Sequence, residues 1–197
     1  KAEESMLQDY SRINLSYWKR LEKGELTKEQ VLLGRFVEFL GKYEICVDAH
    51  EFLNAYEENL SHAWFIQDDS LELCKELKNR GYKQYVVTNG TYIAQERKLR
   101  KSGIGELVEE AFISDLIGYE KPAIEFFGHV FEKIGHYEKD EVIIVGDSLT
   151  SDMKGGNNAG ILCCWYNPNH LENNKDVRID YEIDHLWQLE EILKKHA

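Results

Sequence analysis

Three short segments of this 197-residue sequence carry side chains that suit the binding of a phosphate group. The first is Thr88-Asn89-Gly90, which follows a run of strand-forming residues in YVVTNG and precedes a helical pattern. Two small hydrogen-bonding side chains and a glycine, placed between a buried parallel strand and a helix, are typical of an anion pocket in α/β proteins. We therefore predict a phosphate-binding loop at this position.

The other two segments add charge of both signs. Lys121 lies in GYEKPAIEFF, between a predicted strand and a predicted helix, and VGDSLTSDMKGG places Asp147 and Asp152 after the most apolar strand. Carboxylates offer the hard oxygen ligands that Mg²⁺ prefers, whereas a threonine hydroxyl and a lysine ammonium group donate hydrogen bonds to a phosphate. We therefore take Lys121 as a second phosphate-binding residue, and Asp147 and Asp152 as candidate metal ligands.

Each of these signals is weak by itself. A Thr-Asn-Gly sequence is more often a turn, because asparagine and glycine tolerate left-handed backbone angles. A single lysine is more often a solvated surface residue, and a pair such as Asp147-Ser148 is as often the N-cap of a helix. The functional interpretation depends on their order: each segment follows a successive strand, and the carboxyl ends of parallel strands form the ligand-binding edge of such a sheet.

The N-terminal part of the chain shows only helical periodicity. Apolar residues recur there at three- and four-residue steps, and Thr27 to Gln30 has the pattern of a capping box that opens a helix. No strand pattern interrupts this region. We predict an all-helical module over residues 6–62, with residues 1–5 as a remnant of the neighbouring domain.

From residue 63 onward, helical and strand patterns alternate. Continuous apolar strands separated by helices indicate a parallel sheet that is covered on both faces. We therefore predict an α/β fold, with a Rossmann-like core over residues 63–197 that carries the helical module as an insertion. The helices are predicted at 71–80, 93–102, 123–134 and 186–195, and the strands at 82–87, 111–117, 141–145 and 161–166.

The composition argues against several classes of function. The 36 acidic residues outnumber the 24 basic ones and give a net charge of -12, the wrong sign for holding a nucleic-acid polymer through its phosphates. No apolar run approaches the ~20 residues of a membrane helix, and KAEES at the N-terminus is not a signal peptide. The four cysteines form no C-x-x-C pair, and the seven histidines lack zinc-site spacing. We expect a cytoplasmic protein without a membrane partner.

Together these motifs resemble those of the haloacid dehalogenase-like (HAD) hydrolases, and the resemblance extends over nearly the whole chain. The second family motif, a strand ending in Thr or Ser, matches VVTNG, and the third, a lysine before a helix, matches YEKP. The fourth, G-D-S-x-x-x-D, matches residues 146–152. With the helical stretch YWKRLEKGELTKEQ and the segment CWYNP, the sequence is similar to the 5'-nucleotidases that act on pyrimidine and related nucleoside monophosphates.

The resemblance implies a role for each matching residue. The residues implied to hold the phosphate are Thr88, Asn89, Gly90 and Lys121. Asn89 and Gly90 would approach it through a side chain or a backbone amide. Asp147 is implied to bind Mg²⁺, and Asp152 to complete the metal site by orienting the metal's waters or Lys121. Lys121 and Asp152 are thus the implied catalytic residues in this sequence.

The family's first motif, D-x-D-x-T/V at the end of the first strand, is absent from this sequence. In the family it supplies the nucleophilic aspartate and the aspartate that serves as general acid and base. Two other acidic stretches have other interpretations: IQDDSLEL is a helix N-cap and RIDYEID an edge strand. Because KAEES resembles the segment that follows the first motif, we expect residues to be omitted before Lys1 and between Ser5 and Met6. The lost strand is expected between the strands of VVTNG and IIVGDS.

The prediction for function is a Mg²⁺-dependent phosphatase that hydrolyses small phosphomonoesters, above all a nucleoside 5'-monophosphate. An aspartyl-phosphate would form on a residue outside this sequence, and the helical module would act as a cap that excludes water and reads the leaving alcohol. Tyr17 and Trp18 in this module could stack on a base, but a helical aromatic stripe is more often core packing. We expect a monomer or a weak homodimer.

Two alternatives stay open. One is an inactive HAD-like relative that serves as a phosphate-ligand binding or regulatory protein. The other is a phosphate-accepting receiver domain, which also uses an acidic pocket with Thr and Lys on later strand ends. A receiver domain is disfavoured because its acidic metal pair comes early in the chain, whereas Asp147 and Asp152 come late.

Overall fold

The structure is a computed structural model that describes residues 3–62, 64–67 and 69–195. The chain divides into two compact units, Lys1–His62 (unit 1) and Ala63–Ala197 (unit 2). Within the described residues, no helix is both long enough and apolar enough to cross a bilayer.

The described residues of unit 1 form helices joined by short turns, and no strand occurs among them, as the periodicity predicts. Its helices are α1 (Glu4–Glu22), α2 (Lys28–Lys42) and α3 (Ala49–His62). The capping box is confirmed, because the Thr27 side chain accepts from the Gln30 backbone N–H and the Gln30 side chain accepts from that of Thr27. Asp48 starts α3 in a similar way, with one carboxylate oxygen that accepts from the N–H groups of His50 and Glu51. Both caps satisfy N–H groups that the first turn of a helix leaves unpaired.

The aromatic residues of α1 take part in packing within unit 1. Tyr17 lies so close to α2 that a Cβ added at Gly34 would be 2.7 Å from its ring. Trp18 donates its indole N–H to Oδ1 of Asn14 at 3.1 Å, and both rings are half-buried. These contacts agree with the interpretation of Tyr17 and Trp18 as packing residues.

Unit 2 alternates helices and strands, and the predicted alternation is confirmed. Its elements in chain order are α4 (Ser70–Asn79), β1 (Tyr85–Thr88), α5 (Tyr92–Ser102), β2 (Glu110–Ile113), α6 (Ser114–Ile117), α7 (Ile124–Ile134), β3 (Ile143–Gly146), α8 (Lys154–Ala159), β4 (Leu162–Tyr166), β5 (Tyr181–Ile183) and α9 (Gln188–Leu193). The prediction of a strand over 111–117 is wrong in its second half. There the chain forms the single turn α6, closed by Gly118 at a φ of 83° that favours glycine.

All strand pairings in the described residues are parallel, as predicted, and they form two sheets. β1 pairs with β2, while β3, β4 and β5 form a second sheet in that order. The prediction of an edge strand in RIDYEID is confirmed by β5. Within the described part of the chain no ladder joins β1 to β3, so each of these strands has a hydrogen-bonded neighbour on one side. The expectation of a further strand between them stays a prediction.

The second sheet is covered on both faces, which explains why β4 has no charged side chain. Adjacent residues of a strand point to opposite faces. Cys163 belongs to a buried cluster that includes Phe126 and Phe127 of α7. Cys164 belongs to a second cluster, which includes Leu77 of α4 and residues of α9. The core of unit 2 therefore has the layered α/β architecture of a Rossmann-like fold.

Candidate active site

A buried lysine lies where segments that follow different strands meet. Lys121 is 7% exposed, and its Nζ donates to Oδ1 of Asp152 at 2.7 Å and to the carbonyl oxygen of Val87 at 2.7 Å. An ammonium group has three N–H donors. The described residues therefore use two of them, and the third is available to an anion.

Asp152 is held on both sides of its carboxylate. While Oδ1 accepts from Lys121, Oδ2 accepts from the backbone N–H of Ser148 at 3.1 Å. Asp152 is itself 7% exposed, so the ion pair is sheltered from water. Because solvent screens this ion pair only weakly, the carboxylate of Asp152 and the ammonium group of Lys121 hold each other in place. The ion pair therefore fixes the direction of the ammonium group.

The backbone around Asp152 is shaped to bring the carboxylate inward. Residues Leu149–Met153 form a π-helical turn, a rare conformation that is frequent at functional sites. Ser148 caps this turn by accepting from the N–H of Ser151 at 3.1 Å. A Cβ added at Gly146 would lie 2.3 Å from Oδ2 of Asp152, so only glycine leaves room for the carboxylate there.

Asn89 ties the end of β1 to the same lysine. Its Nδ2 donates to the carbonyl oxygen of Lys121 at 2.9 Å, and its Oδ1 accepts from the Lys121 N–H at 2.8 Å. The side chain that the motif resemblance directs towards phosphate is thus engaged with the main chain of Lys121. A contact between Asn89 and phosphate stays a prediction.

Thr88 and Gly90 form a small turn at the end of β1. The N–H of Gly90 donates to Oγ1 of Thr88 at 3.1 Å. Because the hydroxyl oxygen acts as the acceptor in this bond, its hydrogen can still be donated to a phosphate oxygen. Both residues are half-buried, and Gly90 uses its amide on this turn.

Asp147 lies directly after β3, and its side chain is exposed. Its carbonyl oxygen accepts from the indole N–H of Trp165 at 3.0 Å, and Trp165 is a fully buried residue of β4 that pairs in register with Gly146. The peptide N–H of the next residue, Ser148, binds Asp152. Asp147 is therefore one peptide unit away from the buried ion pair.

The donor set of this region fits Mg²⁺ better than a metal that needs a protein cage. Among the described residues, no group of three or more His, Cys, Asp or Glu side chains could hold a metal ion. Mg²⁺ needs no such group, because it keeps several waters and is bound by one or two carboxylates together with substrate phosphate. Each oxygen of Asp152 already accepts one hydrogen bond, so the exposed carboxylate of Asp147 is the more open of the two groups to the ion. Metal binding by Asp152 stays a prediction.

The predicted site residues are thus joined by a continuous chain of contacts. Asn89, Lys121, Asp152 and the peptide after Asp147 are linked by hydrogen bonds, and Thr88 precedes Asn89 in the chain. Sequence reasoning missed three contributors: the carbonyl of Val87, the N–H of Ser148 and the indole of Trp165. The first two are backbone groups, for which the residue type carries no signal. A tryptophan opposite a glycine in adjacent strands is a signal that could have pointed to Trp165.

Comparison with known proteins bears on the family and the fold of this chain. A model of the haloacid dehalogenase-like hydrolase family matches residues 2–160. The YfnB protein of Bacillus subtilis is 34% identical over 95% of this chain and 80% of its own. Its crystal structure, bound to magnesium and described as revealing interdomain movement, has a TM-score of 0.92 and covers 98% of this chain and 84% of that chain.

Two further relatives carry names that specify a substrate class. The pyrimidine 5'-nucleotidase PynA of Streptococcus pneumoniae is 31% identical, with 95% of this chain and 79% of the relative covered. The pyrimidine 5'-nucleotidase YjjG of Escherichia coli is 27% identical, with 96% of this chain and 83% of the relative covered.

Proposed function

Because the chain belongs to the haloacid dehalogenase-like hydrolase family, we propose that it is a Mg²⁺-dependent phosphatase that hydrolyses nucleoside 5'-monophosphates. In this proposal residues 6–62 are the helical cap domain and residues 63–197 the catalytic core. The observation that carries it is the position of the Lys121 ammonium group. It is fixed by Val87 and Asp152 and has one donor left for a phosphate oxygen.

Each remaining residue has a role that follows from its contacts. Thr88 donates its free hydroxyl hydrogen to the phosphate, and Lys121 adds a full positive charge beside it. Asp152 keeps that charge in place. Asp147 is the residue that would hold Mg²⁺, which when bound supplies positive charge against the charge of the transferring phosphoryl group. Fixed charges of this kind provide most of the catalysis of phosphoryl transfer.

The nucleophile of this reaction is not among the 197 residues, since the sequence contains no D-x-D. We place it on a strand between β1 and β3, each of which has a hydrogen-bonded neighbour on one side only in the described part of the chain. An aspartate oxygen there would form a bond to phosphorus while the ester P–O bond breaks, and the alcohol would leave with a proton from the general-acid aspartate of the same D-x-D motif. Water then cleaves the acyl phosphate and releases inorganic phosphate.

The preference for pyrimidine nucleotides is supported by the names of two relatives at 31% and 27% identity. Nothing in the contacts around Lys121 involves a base or a sugar. The substrate class is therefore the part of the proposal that depends most on similarity.

The test is release of inorganic phosphate from a panel of monophosphates, measured with Mg²⁺ and with EDTA. The panel contains uridine, thymidine, cytidine, adenosine and guanosine 5'-monophosphates, with ribose 5-phosphate as a base-free control. We expect Mg²⁺-dependent release, fastest from the pyrimidine nucleotides. Release that is equally fast from ribose 5-phosphate would contradict the nucleotidase assignment, and release that persists in EDTA would contradict the metal assignment.

The missing D-x-D also favours a second candidate function, in which the chain binds a phosphorylated ligand without turnover. The two candidates differ in one measurement. If no phosphomonoester in the panel is hydrolysed while calorimetry shows that inorganic phosphate binds, the binding function holds and the phosphatase function does not.

A further inference from the structure

Asn89 is engaged with Lys121 at both ends of its side-chain amide. The Nδ2 donates to the Lys121 carbonyl at 2.9 Å, and the Oδ1 accepts from the Lys121 N–H at 2.8 Å. A donor meets an acceptor in both bonds, so the two partners fix which end of the amide is which. The side chain therefore pairs with the main chain of Lys121 as a neighbouring strand would.

The lysine is held at its other end by the same stretch of chain. Val87, two residues before Asn89, accepts from Nζ at 2.7 Å. A lysine side chain is long and flexible, and it loses rotamer freedom when its end is fixed. Val87 and Asn89, at the end of β1, form hydrogen bonds with both the ammonium group and the main chain of Lys121. The lysine is therefore ordered before any ligand binds. A charge that stabilises a reacting group is most effective when it is preorganised in this way.

We propose that Asn89 is a positioning residue, which acts on the bound phosphate through Lys121 and not through a contact of its own. The inference depends on the proposed phosphate-binding function of the site. It differs from the expectation drawn from the motif, in which Asn89 approaches the phosphate directly. Since Nδ2 carries a second hydrogen, the two assignments are to be separated by experiment.

The experiment is a double-mutant cycle read by calorimetric titration with inorganic phosphate at a fixed Mg²⁺ concentration. It compares the unmodified protein with Asn89→Ala, Lys121→Met and the double variant. If Asn89 acts through Lys121, Asn89→Ala raises the Kd for phosphate about tenfold when Lys121 is present and less than about twofold when it is absent. An equal rise in both backgrounds shows a direct contact and overturns the proposal.

Thr88→Val is the matched control, because Thr88 has its own hydroxyl for the phosphate. Its effect on the Kd should be similar with and without Lys121. Lys121→Met leaves Asp152 buried without its partner and can impair folding. The cycle is therefore repeated in Lys121→Met/Asp152→Asn, where the buried carboxylate is replaced by a neutral amide that can still accept from Ser148.

A second measurement reports the contact itself. Hydrogen exchange of the Lys121 backbone amide should be at least about tenfold faster in Asn89→Ala than in the unmodified protein, because that N–H loses its acceptor. An unchanged exchange rate would show that Asn89 does not hold this segment. A failure of the unmodified protein to bind phosphate at all would overturn the proposed function instead, and the positioning role with it.

Discussion

Each compact unit buries one cationic side chain almost completely among its described residues, and the two are held in different ways. Arg35 in unit 1 is 3% exposed and Lys121 in unit 2 is 7% exposed. Burying a charge is costly unless the charge is paired or hydrogen-bonded. The two environments therefore show what each cation is arranged to do.

The nearest partners of Arg35 are aromatic rings and a neutral amide. Its guanidinium lies 4.6 Å from the ring centroid of Phe36 and 5.2 Å from that of Tyr56, and it donates to Asn14 at 2.6 Å. It also forms a longer ion pair with the carboxylate of Glu57, at 3.8 Å. The charge is spread over the interior of a helical unit, where cation–π contacts and one short hydrogen bond stabilise packing.

Lys121 has the opposite environment. Its charge is compact, it contacts a buried carboxylate at 2.7 Å, and it lies at the ends of strands where ligands bind in this class of fold. The comparison teaches that burial of a cation alone does not mark a site. The ammonium group of Lys121 is a fixed point charge with an unused N–H donor, and such a group can bind an anion. The guanidinium of Arg35 is enclosed by aromatic rings, and such a group stabilises the packing of a core.

The largest effect is expected from Lys121→Met. It removes the charge beside the phosphate, so kcat/KM for phosphate release should fall at least ~10²-fold. Because Asp152 is left buried and unpaired, the free energy of unfolding should fall by about 3–5 kcal/mol. Lys121→Met/Asp152→Asn should recover part of the stability and none of the activity, as followed by chemical denaturation and phosphate assay. Recovery of activity in the double variant would show that Lys121 is only structural.

Gly146→Ala should also be severe, because its added methyl group would lie 2.3 Å from Asp152 Oδ2. We expect kcat/KM to drop at least about tenfold as the carboxylate moves and Lys121 loses its anchor. Gly128→Ala is the matched control, since nothing lies within 4 Å of a Cβ there and alanine is favoured in helices by roughly 1 kcal/mol. Equal activities of the two variants would contradict the packing of Asp152 against Gly146.

Trp165→Phe should act on the metal requirement. The indole N–H holds the carbonyl of Asp147 at 3.0 Å, so its loss should loosen the residue that we assign to Mg²⁺. We expect the Mg²⁺ concentration for half-maximal activity to rise on the order of tenfold, a typical effect of removing a supporting hydrogen bond at a metal site. Trp187→Phe, a half-buried tryptophan elsewhere in unit 2, should leave it unchanged. A shift of the same size in both variants would remove the role given to Trp165.

Arg35→Met tests whether the enclosed cation of unit 1 serves only packing. We expect the free energy of unfolding to fall by about 1–3 kcal/mol, because the hydrogen bond to Asn14 and the cation–π contacts are lost. Phosphate affinity per folded molecule should change less than about twofold, since no role in phosphate binding is assigned to Arg35. A large loss of phosphate binding in a folded variant would show that the enclosed cation has a functional role after all.

The last prediction concerns the reactivity of the cysteines and involves no change in activity. Burial raises the pKa of Cys164 to about 12 and also raises that of Cys163, so both remain protonated at pH 8. Cys46 of unit 1 is exposed. Mass spectrometry after iodoacetamide treatment at pH 8 should find Cys46 alkylated first, and Cys163 and Cys164 only after denaturation. Early alkylation of Cys163 or Cys164 would contradict the burial of β4 on both faces.

The sequence predicts much of this site because the relevant signals are local. Thr88 ends β1, Lys121 comes after β2 and α6, and Asp147 directly follows β3. The parallel pairing of these strands is evident from the alternation of strand and helix patterns in the sequence. The capping box at Thr27 and the edge strand β5 are local patterns of the same kind.

What the sequence cannot supply depends on contacts between distant residues. The pairing of Asn89 with Lys121 joins residues 32 positions apart, and the acceptor at Val87 is a backbone carbonyl. The π-helical turn that contains Asp152 is equally hidden, because its residues also suit an ordinary helix. The prediction of a strand over 111–117 failed in its second half because apolar residues such as Leu116 and Ile117 suit a helix as well as a strand. The left-handed turn at Gly118, which closes α6, is not evident from these residues.

The central claim is that the fixed ammonium group of Lys121 binds the substrate's phosphate. The most direct test is a crystal structure of the protein with inorganic phosphate and Mg²⁺. Our account predicts a phosphate oxygen about 3 Å from Nζ of Lys121, within reach of the Thr88 hydroxyl, with the contacts to Val87 and Asp152 retained. A phosphate bound elsewhere, with Lys121 still occupied only by Val87 and Asp152, would contradict it.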